Sequence, residues 1–203
     1  MPWLPRSADS TDRKGIEGYP RAGQEKIWNF LITKGGRTPE QAAGIMGNIM
    51  AESGFGPMRL QGTGGDTKTP ANSAENSSLG WGLVQWTPAG KIITTAKDAK
   101  IPTNIIETSD FQMEFLWQQL KGEAWSGNPK NLSSEKSAGV AVFAAVGVDE
   151  TAMVFAQKYE RCKYCSPNNG VEAYQRSMLN RVKLARAVLA ELGSSTAATG
   201  GAQ

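Results

Sequence analysis

Apolar residues in this chain recur every three or four positions far more often than every second one, which is the spacing of helices packed on one face. Ile27, Phe30 and Leu31 mark a first helix over about residues 22–33. Thr38-Pro39-Glu40-Gln41 is a start signal, with Thr as N-cap, Pro at the first helical position and Gln at the third. It predicts a helix that runs to about Glu52. Gly44 and Gly47 lower the helix propensity of that segment, so they predict another backbone packed closely against it. Thr87-Pro88 predicts a helix through about Lys100, and residues 109–120 an amphipathic one with Phe111, Phe115 and Met113 inward. Residues 134–146 are small and apolar and read as a buried helix; Asp149 reads as the cap of a helix through Tyr159. Residues 171–192 carry Tyr174, Met178, Val182, Ala185 and Leu189 on one stripe. Strand-like alternation is scarce. The expected fold class is mainly α, with residues 54–80 forming a long loop or a small β-hairpin after the second helix.

The ends differ from this middle. Residues 1–20 are rich in Pro, Gly and charge without periodicity and read as a flexible arm, with no apolar segment of the signal-peptide kind. Residues 193–203 are small and polar and read as a flexible tail or linker. One domain over residues 21–192 is the expected organisation, as a module excised from a longer chain.

One residue breaks the pattern of apolar stripes. Glu52 closes Gly44-Ile-Met-Gly-Asn-Ile-Met-Ala-Glu52 and shares a helical face with Ile45 and Ile49. A carboxyl on a core-facing stripe is costly unless it has a task. Desolvation there, and the negative end of the helix dipole, favour the neutral acid. A carboxyl that keeps its proton near neutral pH is what general acid catalysis requires.

A second segment is unusual in composition: Gly80-Trp81-Gly82-Leu83-Val84-Gln85-Trp86. Its glycines allow close backbone approach, and Gln85 offers both donors and an acceptor. Such a segment suits the wall of a polysaccharide groove. The plainer reading is a Gly-rich turn feeding Trp81 and Trp86 into the core.

Taken together, the two segments resemble the lysozyme-like superfamily, and most closely its phage tail lysozyme domain, a relative of goose-type lysozymes and lytic transglycosylases. The matching features are Glu52-Ser53-Gly54-Phe55, then Gly82-Leu83-Val84-Gln85-Trp86, then Tyr159-Glu160-Arg161 on a later aromatic-rich helix, and an Arg on the closing helix. The resemblance covers about residues 22–192 and implies a lysozyme-like helical domain that cleaves peptidoglycan. It implies Glu52 as the catalytic acid and Gln85 in the sugar site, with Trp81, Trp86, Phe55 and Tyr159 as further substrate-binding residues. Two departures stand out: an insertion at residues 62–78, and Cys162-Lys-Tyr-Cys165 after the Tyr-Glu-Arg element. A glycosidase normally pairs two carboxylates. Asp66, on the inserted loop, is the leading second candidate and Glu75 the next; Glu160 is expected to pair with an Arg. A transglycosylase needs only one carboxyl, with the sugar's own hydroxyl as nucleophile.

Bulk composition narrows this picture. The 203 residues contain no histidine, which removes Ser-His-Asp and Cys-His nucleophile systems and His-ligated zinc. Carboxylates are then the leading proton carriers. No cofactor and no metal is expected, since there is no phosphate loop and two cysteines cannot close a zinc site. Those cysteines are left as either a local disulfide or free thiols. Net charge is +3, too weak a balance to imply nucleic acid. No run of eighteen apolar residues exists, so no membrane insertion is expected. Arg176, Arg181 and Arg186 on the last helix read as a solvated face that could meet peptidoglycan carboxylates. The resemblance implies a location in a virion tail or the extracellular cell-wall space, as part of a larger tail or secreted protein.

Overall fold

The computed structural model describes residues 21–63, 67–123 and 133–197. It is mainly helical. The elements in order are α1 (Arg21–Asn29), continued by a π-helical turn (Phe30–Lys34), α2 (Pro39–Ser53), α3 (Ala71–Ala74), α4 (Gly90–Asp98), α5 (Thr103–Ile106), α6 (Ser109–Lys121), α7 (Ser133–Ala144), α8 (Gly147–Phe155), continued by a second π-helical turn (Ala156–Glu160), a 3₁₀ turn (Pro167–Asn169) and α9 (Val171–Ala197).

The start of α2 is the capping box read from the sequence: Thr38 accepts from the Gln41 amide at 3.2 Å, and Gln41 reaches back to the Thr38 amide. Gln41 also donates to the carbonyls of Phe143 and Ala145, tying the cap to the end of α7. The helix ends at Gly54, left-handed at φ 60°, whose N–H caps Met50 O. Between these ends α2 is the buried axis of the domain, packed on α8 and α9. Its glycines explain how. A Cβ at Gly44 would lie 2.6 Å from the Thr151 side chain on α8, and one at Gly47 would lie 2.6 Å from the Ala185 backbone nitrogen on α9. The core adds Ile27, Trp28 and Leu31 from the first helix, Ile45 and Ile49 from α2, Phe155 from α8 and Val188 from α9.

Of the long loop or small hairpin expected at residues 54–80, the described residues show a long loop that holds the single turn α3 and a bridge from Leu60 to Trp81. Other expectations are corrected. The helix after Thr87-Pro88 begins at Gly90 and ends at Asp98. α7 is only half-buried, with Val140 63% exposed. Asp149 is not a cap but lies inside the first turn of α8, paired with Arg186; Glu150 accepts from the Val146 amide instead. The last helix continues past Leu192 to Ala197, and its buried stripe is Met178, Arg181, Leu184, Ala185, Val188 and Leu192. Cys162 and Cys165 are joined as a disulfide in the turn before α9. Among the described residues no helix is long and apolar enough to cross a membrane.

Candidate functional site

Glu52 lies in the last turn of α2, and the side chains around it are polar. Asn48, one turn earlier on the same face, is fully buried. Its amide donates to Gly44 O at 2.9 Å and to Ala152 O at 3.0 Å, while its oxygen accepts from Arg181 Nη1 at 2.8 Å. The other arm of the same guanidinium, Nη2, donates to Glu52 Oε1. Arg181 is therefore no solvated surface residue. Its side chain is 7% exposed against 19% for Glu52, so the carboxyl is the open edge of a cluster whose cation is sealed behind it. The apolar stripe that Glu52 shares with Ile45 and Ile49 is thus interrupted by Asn48 and met by Arg181. The ion pair compensates the burial of both partners.

The 80–86 segment is fixed against the same helix end. Ser53 Oγ donates to Leu83 O at 2.8 Å. Trp81 and Trp86 exchange two backbone hydrogen bonds, at 3.2 and 3.0 Å, closing a tight turn over residues 82–85. Gly82 sits at φ 86°, and a Cβ there would lie 2.7 Å from Gln112 Oε1. Gln112, on α6 and fully buried, accepts from the Leu83 amide and donates to Pro57 O and Ile106 O. Gln119, two turns further along α6, accepts from both Trp86 Nε1 at 2.9 Å and the Tyr159 hydroxyl at 2.6 Å. Burial, and next the charge of Glu160, push the Tyr159 phenol well above its ordinary range.

Glu160 ends the π turn after α8, and among the described residues it forms no ion pair with an Arg, contrary to expectation. Arg161 pairs with Glu135 at 3.0 Å, and Arg181 with Glu52. The residue as a whole is only half-buried, but its Oε1 is shut off from solvent and receives no hydrogen bond. Burial first, then the nearby Glu52 carboxylate, hold the Glu160 carboxyl well above the usual range; Arg181 and Arg161 oppose this.

The remaining sequence candidates divide clearly. Trp81 and Trp86 are core residues, 0% and 5% exposed, with their indole N–H groups satisfied by Thr69 O and Gln119. Phe55 and Tyr159 are buried too, so none of these four presents an open face to a sugar. Gln85 is part-exposed at φ 52°, and its amide donates to Arg59 O and Gly82 O, bracing the turn from within. Glu75 holds Lys97 and lies beside Thr94, an inter-element brace. Asp66 lies outside the described residues. Sequence reasoning passed over Asn48, Gln112, Gln119 and the burial of Arg181, and gave Ser53 no role of its own. For Asn48 a signal existed: a polar residue four before Glu52 on the same stripe.

The chain matches the phage tail lysozyme family over residues 22–192. It is also 28% identical over 148 residues to morphogenesis protein 1 of Bacillus phage B103. That alignment covers 72% of this chain and 36% of the relative, so the chain spans about a third of that protein's length. With a match that runs from the first described helix to Leu192, the chain belongs to the phage tail lysozyme family.

Proposed function

We propose that this domain cleaves the glycan strand of peptidoglycan as a muramidase, at the β-1,4 bond between N-acetylmuramic acid and N-acetylglucosamine. Glu52 is the general acid. The observation that carries the reading is a part-exposed carboxyl at the end of α2, backed by a sealed cation and set beside the 80–86 turn. In the reaction Glu52 gives its proton to the glycosidic oxygen as the bond breaks, and a cation-like sugar forms. Asp66 is the proposed second carboxylate. Its separation from Glu52 sets the outcome: about 5–5.5 Å for retention, about 6.5–9.5 Å for inversion through an activated water. Gln85 borders the sugar site, and the buried Trp81 and Trp86 hold the turn that carries it. The family and the phage relative support a place in a virion tail, as one module of a longer protein.

One observation favours a second reading, lytic transglycosylation by Glu52 alone. Of the other carboxyls considered, Glu75 is taken by Lys97 and Glu160 has a sealed oxygen. Digestion of purified peptidoglycan by the wild type and by Glu52→Gln, with the fragments weighed by mass spectrometry, separates the alternatives. Reducing-end fragments from the wild type alone support the muramidase. Fragments lighter by one water, with an anhydro end, establish the transglycosylase. Binding without fragments makes the domain a peptidoglycan-binding module.

A further inference from the structure

The other end of α2, away from Glu52, borders a cleft that the proposed reaction does not use. The turn entering α2, the last turn of α6 and one face of α7 enclose about 500 Å³ there. Four cations line it, Lys34, Arg37, Lys121 and Lys136, against one acid, Glu123. Apolar groups complete the lining, among them Val140, which is 63% exposed. Arg37 precedes Glu52 by the length of α2, about 20 Å along the helix axis.

Two of these cations stand where helix stability does not ask for them. Lys136 lies in the first turn of α7, and Arg37 immediately precedes the N-cap of α2, whereas a helix N-terminus favours anions. Lys34 pairs with Glu114 and Lys121 with Glu123, but among the described residues neither Arg37 nor Lys136 forms an ion pair. Packing holds both in place instead. A Cβ at Gly122 would lie 2.6 Å from Lys136 Cβ and Cδ, so the lysine stem crosses the end of α6 where a side chain is missing. Arg37 Nε donates to Gly35 O at 3.0 Å, and its guanidinium lies 4.3 Å from the centre of the Phe143 ring and 5.6 Å from that of Trp117. Burial lowers the Arg37 pKa from its usual value, the mark of a cation short of solvent.

The lining selects among anions. Arg37 lies over both rings, which leaves the cleft without the open aromatic platform on which a nucleotide base stacks. A bare chain of phosphates would leave Val140 uncovered. Carboxylates on a small aliphatic body suit both the cations and the apolar wall. Resting on the reading of the domain as one that cleaves peptidoglycan, we propose that this cleft binds the acidic peptide stem carried by the glycan strand, with Arg37 and Lys136 meeting its carboxylates. The strand is then held at two points, at Glu52 and through a peptide about 20 Å away, and peptide-bearing strands are chosen over bare ones.

The test is an NMR titration of the full chain with free stem peptide released from purified peptidoglycan. Saturable amide shifts are expected at residues 34–37, 117–123 and 136–143. No saturation up to about 10 mM peptide, or shifts centred elsewhere, overturns the proposal. Lys136→Gln, at an exposed position, is expected to weaken binding about fivefold, and Arg37→Gln about tenfold. Lys91→Gln, exposed on α4 outside the cleft, is expected to stay within about twofold of the wild type. An undiminished affinity in Lys136→Gln, or an equal loss in Lys91→Gln, overturns the proposal even where Arg37→Gln fails to fold. So does equal binding of the peptide with its carboxyls amidated, or its displacement by an equal concentration of inorganic phosphate. The two readings fail separately. An active Glu52→Gln sinks the general acid and leaves the peptide titration standing, whereas a silent titration beside fragments from the wild type sinks only the cleft.

Discussion

The end of α2 and the 80–86 turn are both polar, both largely buried and joined by the hydrogen bond from Ser53 to Leu83. They are polar in opposite ways. The turn is neutral throughout: Gln85, Gln112 and the Trp81 indole meet backbone groups, the Trp86 indole and the Tyr159 phenol donate to Gln119, and Gln112 alone satisfies Leu83, Pro57 and Ile106. Such a network rigidifies when complete and has no proton to exchange. The cluster around Glu52 is charged, depends on one guanidinium and leaves one carboxyl oxygen without a donor. On the proposed reading, a rigid wall and an acid stand side by side in this division. The neutral network holds shape, and the charged one holds an imbalance.

The largest expected effect breaks the charged side. Arg181→Met removes the donor of Asn48 and the counter-charge of Glu52, and breaking a buried pair in this way costs about 3–5 kcal/mol. In a domain of this size each kcal/mol lowers Tm by roughly 2–4 °C. A calorimetric scan checks it, and an unchanged Tm would show the pair to be ornamental. Breaking the neutral side comes next. Gln112→Leu strands the Leu83 amide and two carbonyls, at about 1–3 kcal/mol for each buried group left unpaired. Urea unfolding measures it, and the signature is loss of stability that does not vary between pH 5 and pH 8.

Gly47→Ala sharpens the comparison by pressing on the seam that carries Arg181. The added methyl meets the Ala185 backbone at 2.6–2.7 Å, and overpacking of this kind costs about 1–3 kcal/mol. Expression with thermal denaturation reads it, and a neutral result would mean that α9 shifts freely along α2. The smallest effect has the opposite sign. The folded chain keeps the Glu160 proton to a higher pH than the unfolded chain does. Above the ordinary glutamate value of about 4.3, therefore, the unfolded state binds fewer protons and stability falls as pH rises. Glu160→Gln carries no such penalty, so its Tm relative to wild type is expected to be higher at pH 8 than at pH 5. A constant difference across pH would remove the buried-acid account.

The helical class and the course of α2 were legible because their causes are local. Thr38 and Gln41 cap over one turn, and Gly44 and Gly47 announce close packing by their own lack of a side chain. The partners of Glu52 were not legible in the same way. Arg181 lies 129 positions away, and its spacing on α9 is equally that of a solvated face. Only the fold decides that this arginine points inward while Arg176 and Arg186 stay on the surface, at 73% and 64% exposed. The tryptophans of the turn show the converse limit. Their composition suits a sugar platform, yet two indole N–H groups found internal acceptors, and the rings went to the core.

Contact between the glycine face of α2 and the backbone of α9 has a mechanical consequence. Side chains that interdigitate can slide by changing rotamer, but Gly47 against Ala185 leaves no such slack. The two long helices behave as one beam, with Glu52 and Arg181 bolted to opposite flanges. Any movement between this beam and the segment that follows it is therefore expected on the far side of Gly54, where Gly54 and Phe55 stand consecutively at φ 60° and 65° and the chain leaves the beam.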